Sequence, residues 1–296
     1  MTEFTGKVAG ITGAANGIGK AFAEEAARRG MKLALIDVEG EKLEAVRKEC
    51  EELGSPKAIA ITVDVSVYEQ VRLSVKRIMA EFGCLDLFFS NAGVAGAGHV
   101  INIPHQDWDW FMSVNFLGMA YYATEILPIM RKQGTEAHFM FTSSLAGLQP
   151  GIQVQSAYIA SKQACVSLAE SVRDYAETFA PYIGVTVFCP EYVNTTIYDS
   201  ELRRPERFCK PADPFYASDD YVSYRKRFEE NIKTKGFNPR FIGPRLFRAI
   251  EEGQMYVNPH LHTHQMIRDR HARIMEDLLK DEELDKEFRA LEGYED

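Results

Sequence analysis

The chain has 296 residues, enough for one large domain, and its 46% apolar and 26% charged residues are the proportions of an ordinary globular core-former. A formal charge of −9 argues against nucleic acid or an anionic membrane as partner, since both call for clustered Lys and Arg. No apolar run nears the roughly 20 residues that cross a bilayer, and no leader-like stretch precedes residue 8; with five scattered cysteines, the expectation is a cytoplasmic protein with reduced thiols, no disulfide frame and no metal.

Residues 8–12 read as a buried strand, and 18–29 as a helix that Gly30 can end. Strand 32–37, charged amphipathic helix 39–53, strand 58–63, helix 68–82 and strand 85–90 follow. A long helical region spans 106–131; then come strand 138–142, helix 157–180 and strand 185–189. Strands that are apolar throughout, each separated by a helix, predict an α/β fold: a single Rossmann-like, doubly wound parallel sheet with helices on both faces. Between Asp199 and Phe241 the rhythm stops, in a stretch with four prolines and eight aromatics. A last strand is expected near 254–257 and a charged helix over 265–291, giving a domain over 1–258, a variable segment about 198–242 and a helical extension over 259–296.

Strand one runs into Thr12-Gly13-Ala14-Ala15-Asn16-Gly17-Ile18-Gly19, which opens a helix. A turn that touches a pyrophosphate needs glycines so that the backbone can approach and aim its N–H groups; an ordinary tight turn is the bland alternative. Asp37 ends strand two, eighteen residues after Gly19, where a carboxylate can accept both ribose hydroxyls of NAD and repel the extra phosphate of NADP. Asn16 stands where a basic residue would favour that phosphate.

Tyr158 and Lys162 lie four residues apart and so share one helix face. Bringing a phenol down from about 10 toward neutrality takes about 3–4 kcal/mol, and a positive charge about 4 Å away supplies about 4 kcal/mol at an effective dielectric near 20. On an exposed helix the same pair would mean nothing. Together with the turn, it makes the sequence resemble the short-chain dehydrogenase/reductase family. Thr12 to Gly19 fits the TGxxxGIG turn, Asn91-Ala92-Gly93 the NAG segment, and Ser144, Tyr158 and Lys162 the active site. Asn115 matches the asparagine of the long central helix, and Asp64-Val65 the adenine-contacting pair. The resemblance covers about residues 5–198.

The resemblance implies an NAD-dependent alcohol dehydrogenase or ketone reductase. Tyr158 would exchange the hydroxyl proton while hydride moves between carbon and nicotinamide. Ser144 would hydrogen-bond the substrate oxygen, with Ser143 bracing the loop. Lys162 would lower the Tyr158 pKa and hold the nicotinamide ribose, and Asn115 would support a water linking the lysine to solvent. Gly13, Asn16, Gly17, Ile18, Gly19, Asp37, Asp64, Val65 and the segment 91–93 would line the cofactor with Pro190, Val193 and Thr195. Family membership further suggests a homodimer or homotetramer built on the long central helices.

Two departures from the family pattern stand out. Ser144 and Tyr158 are fourteen residues apart where thirteen is usual, which predicts a bulge in the loop 148–155. Glu191 replaces the glycine of PGxVxT; either it occupies a turn facing solvent, or its carboxylate stabilises the positive nicotinamide and favours the oxidised cofactor. The aromatics Phe208, Phe215, Tyr216, Tyr221, Tyr224, Phe228, Phe237 and Phe241 suit a bulky apolar or aromatic secondary alcohol, steroid-like or an aryl carbinol, or else pack the lid on itself. His260, His262 and His264 share one face if extended, but no carboxylate or cysteine completes a metal set. A catalytically silent NAD(H)-sensing protein on the same fold is the rival reading, though it predicts loss of Tyr158 or Lys162. An epimerase or dehydratase of the extended relatives would carry a TGxxGxxG turn and a larger C-terminal domain.

Overall fold

Strands without a polar face must be covered on both sides, and the computed structural model, which describes residues 1–149, 154–209 and 212–292, shows how this chain does it. The strands are β1 (Val8–Thr12), β2 (Lys32–Asp37), β3 (Ala58–Thr62), β4 (Leu87–Ser90), β5 (Ala137–Thr142), β6 (Ile183–Phe188) and β7 (Tyr256–Val257). They form one seven-stranded, all-parallel sheet in the order β3-β2-β1-β4-β5-β6-β7. The crossover between β3 and β4 reverses the direction of winding, so the turns after β1 and β4 leave a crevice at the carboxyl edge, where a doubly wound sheet takes its ligand.

The helices are α1 (Gly17–Arg28), α2 (Gly40–Glu52), α3 (Tyr68–Phe82), α4 (His105–Phe111), α5 (Gly118–Gln133), α6 (Leu145–Leu148), α7 (Ser156–Phe179), α8 (Asp219–Lys235), α9 (Ile242–Glu251) and α10 (His264–Glu292). On one face α1, α2 and α9 close a core around Phe22, Leu43, Phe89 and Phe247; the Phe22 and Phe247 rings stack 4.8 Å apart. On the other, α3, α5 and α7 bury Ile78, Tyr122, Phe88 and Ala169. Gly30, Gly83 and Gly134 follow α1, α3 and α5 with φ of +71°, +75° and +66°, a conformation that stops a helix and that other residues resist.

The long helical region of the sequence is three in-line pieces: α4, a π-helical turn Met112–Leu117, and α5, which carries Pro128 in its interior. The irregular stretch after Thr195 contains short 3-10 turns and α8, and α9 follows it; the hydrophobic rhythm alone located neither helix. The chain divides into two units, Met1–Asn258 with the sheet and Pro259–Asp296 with α10. In the second unit the His260 carbonyl accepts bonds from the Thr263 amide and hydroxyl, and the His260 and His262 rings lie 6.1 Å apart. Among the described residues no group of three or more His, Cys, Asp or Glu could hold a metal ion, and no helix is long and apolar enough to cross a membrane.

Candidate active site

Four strand ends build the floor of the crevice. The Thr12 hydroxyl accepts the amides of Asn91 (2.8 Å) and Ala92 (2.9 Å), while the Asn91 side chain donates to the Thr12 carbonyl (3.0 Å) and accepts from the Thr142 hydroxyl (3.1 Å). Asn91 thus staples the ends of β1, β4 and β5, and only the backbone of 91–93 is left to face a ligand. A side chain at Gly93 would come within 3.2 Å of both Asn115 Oδ1 and Lys162 Nζ, so the segment passes directly over the lysine.

The glycine turn is closely constrained. Gly13 and Gly17 have φ of +67° and +55°, and a Cβ on Gly19 would sit 2.1 Å from the Gly13 carbonyl oxygen. Asn16 occupies the N-cap of α1 without capping it; its amide donates instead to Glu39 (2.7 Å). Among the described residues no side chain therefore caps the first turn of α1, around Gly17, Ile18 and Gly19, and it presents the positive end of the helix dipole to the crevice. Asp37 is buried at the end of β2, where its two oxygens accept the amides of Ala15 (2.9 Å) and Glu39 (3.0 Å). After β3, Asp64 accepts from the Ser66 amide and hydroxyl, while Val65 is buried against Gly118. Burial alone would raise the Asp64 pKa, but the hydrogen bonds from Ser66 and Arg207 outweigh it and the net direction is down.

The side chains expected to react meet at the end of β5 and the start of α7. Ser144 caps α6, accepting the Ala146 amide (3.2 Å); its hydroxyl donates to the Pro190 carbonyl (3.4 Å) and lies near enough to Tyr158 to pull that phenol's pKa down. Ser143 turns the other way and donates to the Lys162 carbonyl (2.6 Å) in the core. Lys162 is buried, donates from Nζ to the Thr142 carbonyl (3.1 Å) and lies 5.9 Å from the centre of the Tyr158 ring. Asn115, in the π turn, accepts the Val94 amide (2.8 Å) and donates to the Val94 carbonyl (3.0 Å) and the Ser161 hydroxyl (2.9 Å). It bolts the 93–95 segment to α7.

Electrostatically, the chain alone differs from the expectation drawn from spacing. Burial pushes the Tyr158 phenol up to about 12; the nearby Ser144 hydroxyl pulls it down, and Cys165 and Tyr192 push it further up. Burial also lowers the Lys162 pKa. The expected lowering of Tyr158 assumed a charge about 4 Å away at moderate dielectric. Here both groups are desolvated, so the cost of a buried phenolate dominates.

Beyond β6, the Pro190 carbonyl accepts the Leu145 amide (2.7 Å), and buried Val193 bridges to Phe237, tying the start of the lid to its end. Thr195 packs on Gly17, where a Cβ would come within 2.9 Å of the threonine methyl. Glu191 is near enough to Tyr192 to raise the phenol's pKa, after burial, the larger cause. Tyr224 is buried beside Tyr158 and Tyr192 and forms an aromatic wall with Phe228. By contrast Phe215, Tyr216 and Tyr221 pack mainly on one another, with ring centres 5.1–5.3 Å apart. The expected bulge at 148–155 falls largely on residues 150–153, which lie outside the described residues.

Three lid arginines escaped the motif reading. Arg204 is buried over the Trp110 ring (4.1 Å) and donates to Asp107 (2.6 Å) and Glu201 (2.9 Å), pinning the lid to α4. Arg207 donates to Asp64 (2.7 Å), and Arg203 lies 3.6 Å from Glu39, so the lid is tied to the loops after both β2 and β3. Their only local sign is the density of charge in Glu201-Leu202-Arg203-Arg204-Pro205-Glu206-Arg207.

The profile of the short chain dehydrogenase family matches residues 7–206. This chain belongs to that family. Among curated relatives, a CLA biosynthesis dehydrogenase/reductase of Lactiplantibacillus plantarum is 34% identical over 94% of this chain and 96% of its own length. The human 15-hydroxyprostaglandin dehydrogenase [NAD(+)] is 32% identical over 83% of this chain and 87% of its own. A short-chain dehydrogenase/reductase from Burkholderia phymatum, solved in complex with NAD, superposes with a TM-score of 0.89 at 33% identity, covering 94% of this chain and 97% of the other.

Proposed function

We propose that the protein is an NAD-dependent oxidoreductase that interconverts a bulky apolar or aromatic secondary alcohol and its ketone, with Tyr158 as the proton-transferring group. The observation that carries this reading is the meeting of Ser144, Tyr158 and a buried Lys162, whose Nζ lies 5.9 Å from the centre of the Tyr158 ring, at the strand-end crevice. The crevice fits a dinucleotide: the first turn of α1 suits a pyrophosphate, and Asp37 at the end of β2 suits ribose hydroxyls. The human relative's name and the Burkholderia phymatum complex both carry NAD and support the same choice.

A bound nicotinamide dinucleotide supplies the hydride donor or acceptor. Ser144 holds the substrate oxygen by a hydrogen bond that strengthens as charge develops there. Tyr158 gives its proton to that oxygen in reduction and takes one from it in oxidation. Lys162 steadies the phenolate side of that exchange and orients the cofactor ribose, with Asn115 and the Val94 backbone fixing the wall beside it. Tyr192, Tyr224 and Phe228 supply an aromatic wall for a bulky substrate.

The test is NADH formation across a panel of steroid, aryl and aliphatic secondary alcohols, repeated with Tyr158→Phe. The expected result is turnover of bulky alcohols that Tyr158→Phe lowers by about 10²–10⁴-fold, with NADH still binding. Intact turnover in the variant, or no affinity for NAD or NADH, overturns the reading.

A further inference from the structure

From His271 to Leu291 every residue of α10 is exposed, although the stretch includes Ile274, Leu278, Leu284, Phe288 and Leu291. At 100° per residue, Ile267, Ile274, Leu284, Phe288 and Leu291 fall within a sector of about 120°, and Arg270, Arg273, Asp277 and Asp281 share it. Charge is sorted along the helix. Residues 264–275 carry Arg268, Arg270 and Arg273 against Asp269 alone, while residues 276–291 carry seven acids against Lys280, Lys286 and Arg289.

That sorting runs against the helix's own interest. A helix dipole favours acids at the N-terminus and bases at the C-terminus, so α10 by itself is weakened by its charges. The ion pairs of Lys280 with Glu276 and Asp277, and of Arg289 with Asp285, sit within the acidic half; among the described residues Arg270 and Arg273 have none. A helix with a basic first half and an acidic second half is complementary to its own copy reversed, and is repelled by a parallel one.

We infer that α10 is a self-association surface that pairs antiparallel with α10 of a second copy of this chain. Pairing about the helix midpoint near residue 278 lays Arg270 and Arg273 of each copy along the Asp281–Asp285 stretch of the other. It also sets Ile267 and Ile274 beside the apolar end formed by Leu284, Phe288 and Leu291. The antiparallel arrangement opposes the two dipoles as well.

The test is the mass of the intact chain in solution, by sedimentation equilibrium at low and high salt. Arg270→Glu with Arg273→Glu is expected to halve the mass without changing hydride transfer per chain, as is Asp281→Arg with Asp285→Arg. The fourfold variant combining all of these substitutions is expected to regain the wild-type mass, which separates charge pairing from damage to the helix. A wild-type chain that is monomeric, a mass unmoved by either reversal, or a fourfold variant that stays at half mass overturns the inference.

Discussion

The carboxyl edge of the sheet and the lid above it are held by different physics. At the edge, contacts run between backbone and short, buried side chains: Thr12 with Asn91 and Ala92, Asp37 with Ala15, Lys162 with the Thr142 carbonyl. Each is fixed by where a strand stops. The lid is held by long side chains, with Arg203, Arg204 and Arg207 reaching carboxylates far away in sequence. Buried short contacts give a rigid site, and the buried Arg204–Asp107 pair anchors the lid to it. The more exposed pairs of Arg203 and Arg207 are individually worth about 0–1 kcal/mol and let the rest of the cover open. On the proposed function, the chemistry would thus be mounted on the rigid half and access to it on the loose half.

Four sets of substitutions and one pH profile sharpen or break this contrast. The largest effect is expected from Lys162→Met, which removes a buried cation from the rigid half: oxidation at pH 7 should fall by about 10²–10⁴-fold. With the phenol held near 12 in the chain alone, the oxidative kcat/KM of the wild type should rise with pH through the neutral range while reduction stays flat. A flat oxidative profile would count against Tyr158 as the titrating group. Next, Asp37→Ser should weaken NAD binding by about 10–100-fold, the worth of a charged hydrogen bond, and relax discrimination against NADP. Retained strict discrimination would remove Asp37 from that role.

A third effect concerns the sheet itself. His138 is buried, bonded to Thr186 (2.9 Å), and its pKa is lowered to about 3 by burial, while the unfolded chain protonates near 6.5. Between those values the unfolded state binds the extra proton, so stability falls as pH falls from 6.5 toward 3, by up to about 1.4 kcal/mol per pH unit from this group. Denaturant titrations of His138→Gln should show a shallower loss over the same window. Smallest of all, Arg203→Ala with Arg207→Ala should speed cofactor release by no more than about five- to tenfold and leave the chemical step alone. A collapse of the chemical step would mean that the lid is part of the rigid site.

Much of the rigid half was legible because its signals are local. Apolar strands, the glycine turn and the four-residue step from Tyr158 to Lys162 are each set by neighbours within a few residues. Ser144 and Ser143 could be told apart only by which way the strand end turned them. Two helices were hidden. α9 opens with Ile242-Gly243-Pro244, which looks like a break, yet proline is tolerated in a first turn and the burial of Leu246, Phe247 and Ile250 decides. α8 did carry a signal: Ser218 caps it, with Asp219 and Asp220 in its first turn. The lid arginines left no such mark, since pairing across 97 to 164 positions depends on the assembled fold. The desolvation that raises Tyr158 left no mark either, because it is a property of the whole site.

The π turn in the middle of the long helix has its own consequence. Such a turn takes up one residue more than α geometry needs for the same advance, so the helix before it and the helix after it keep their faces toward the sheet: Trp110 and Phe111 on one side, Met119 and Tyr122 on the other. The surplus residue is what lets Asn115 grip both polar atoms of the Val94 backbone. Shortening the turn by one position is expected to keep the faces of the flanking helices toward the sheet while loosening Asn115's bonds to Val94 and Ser161.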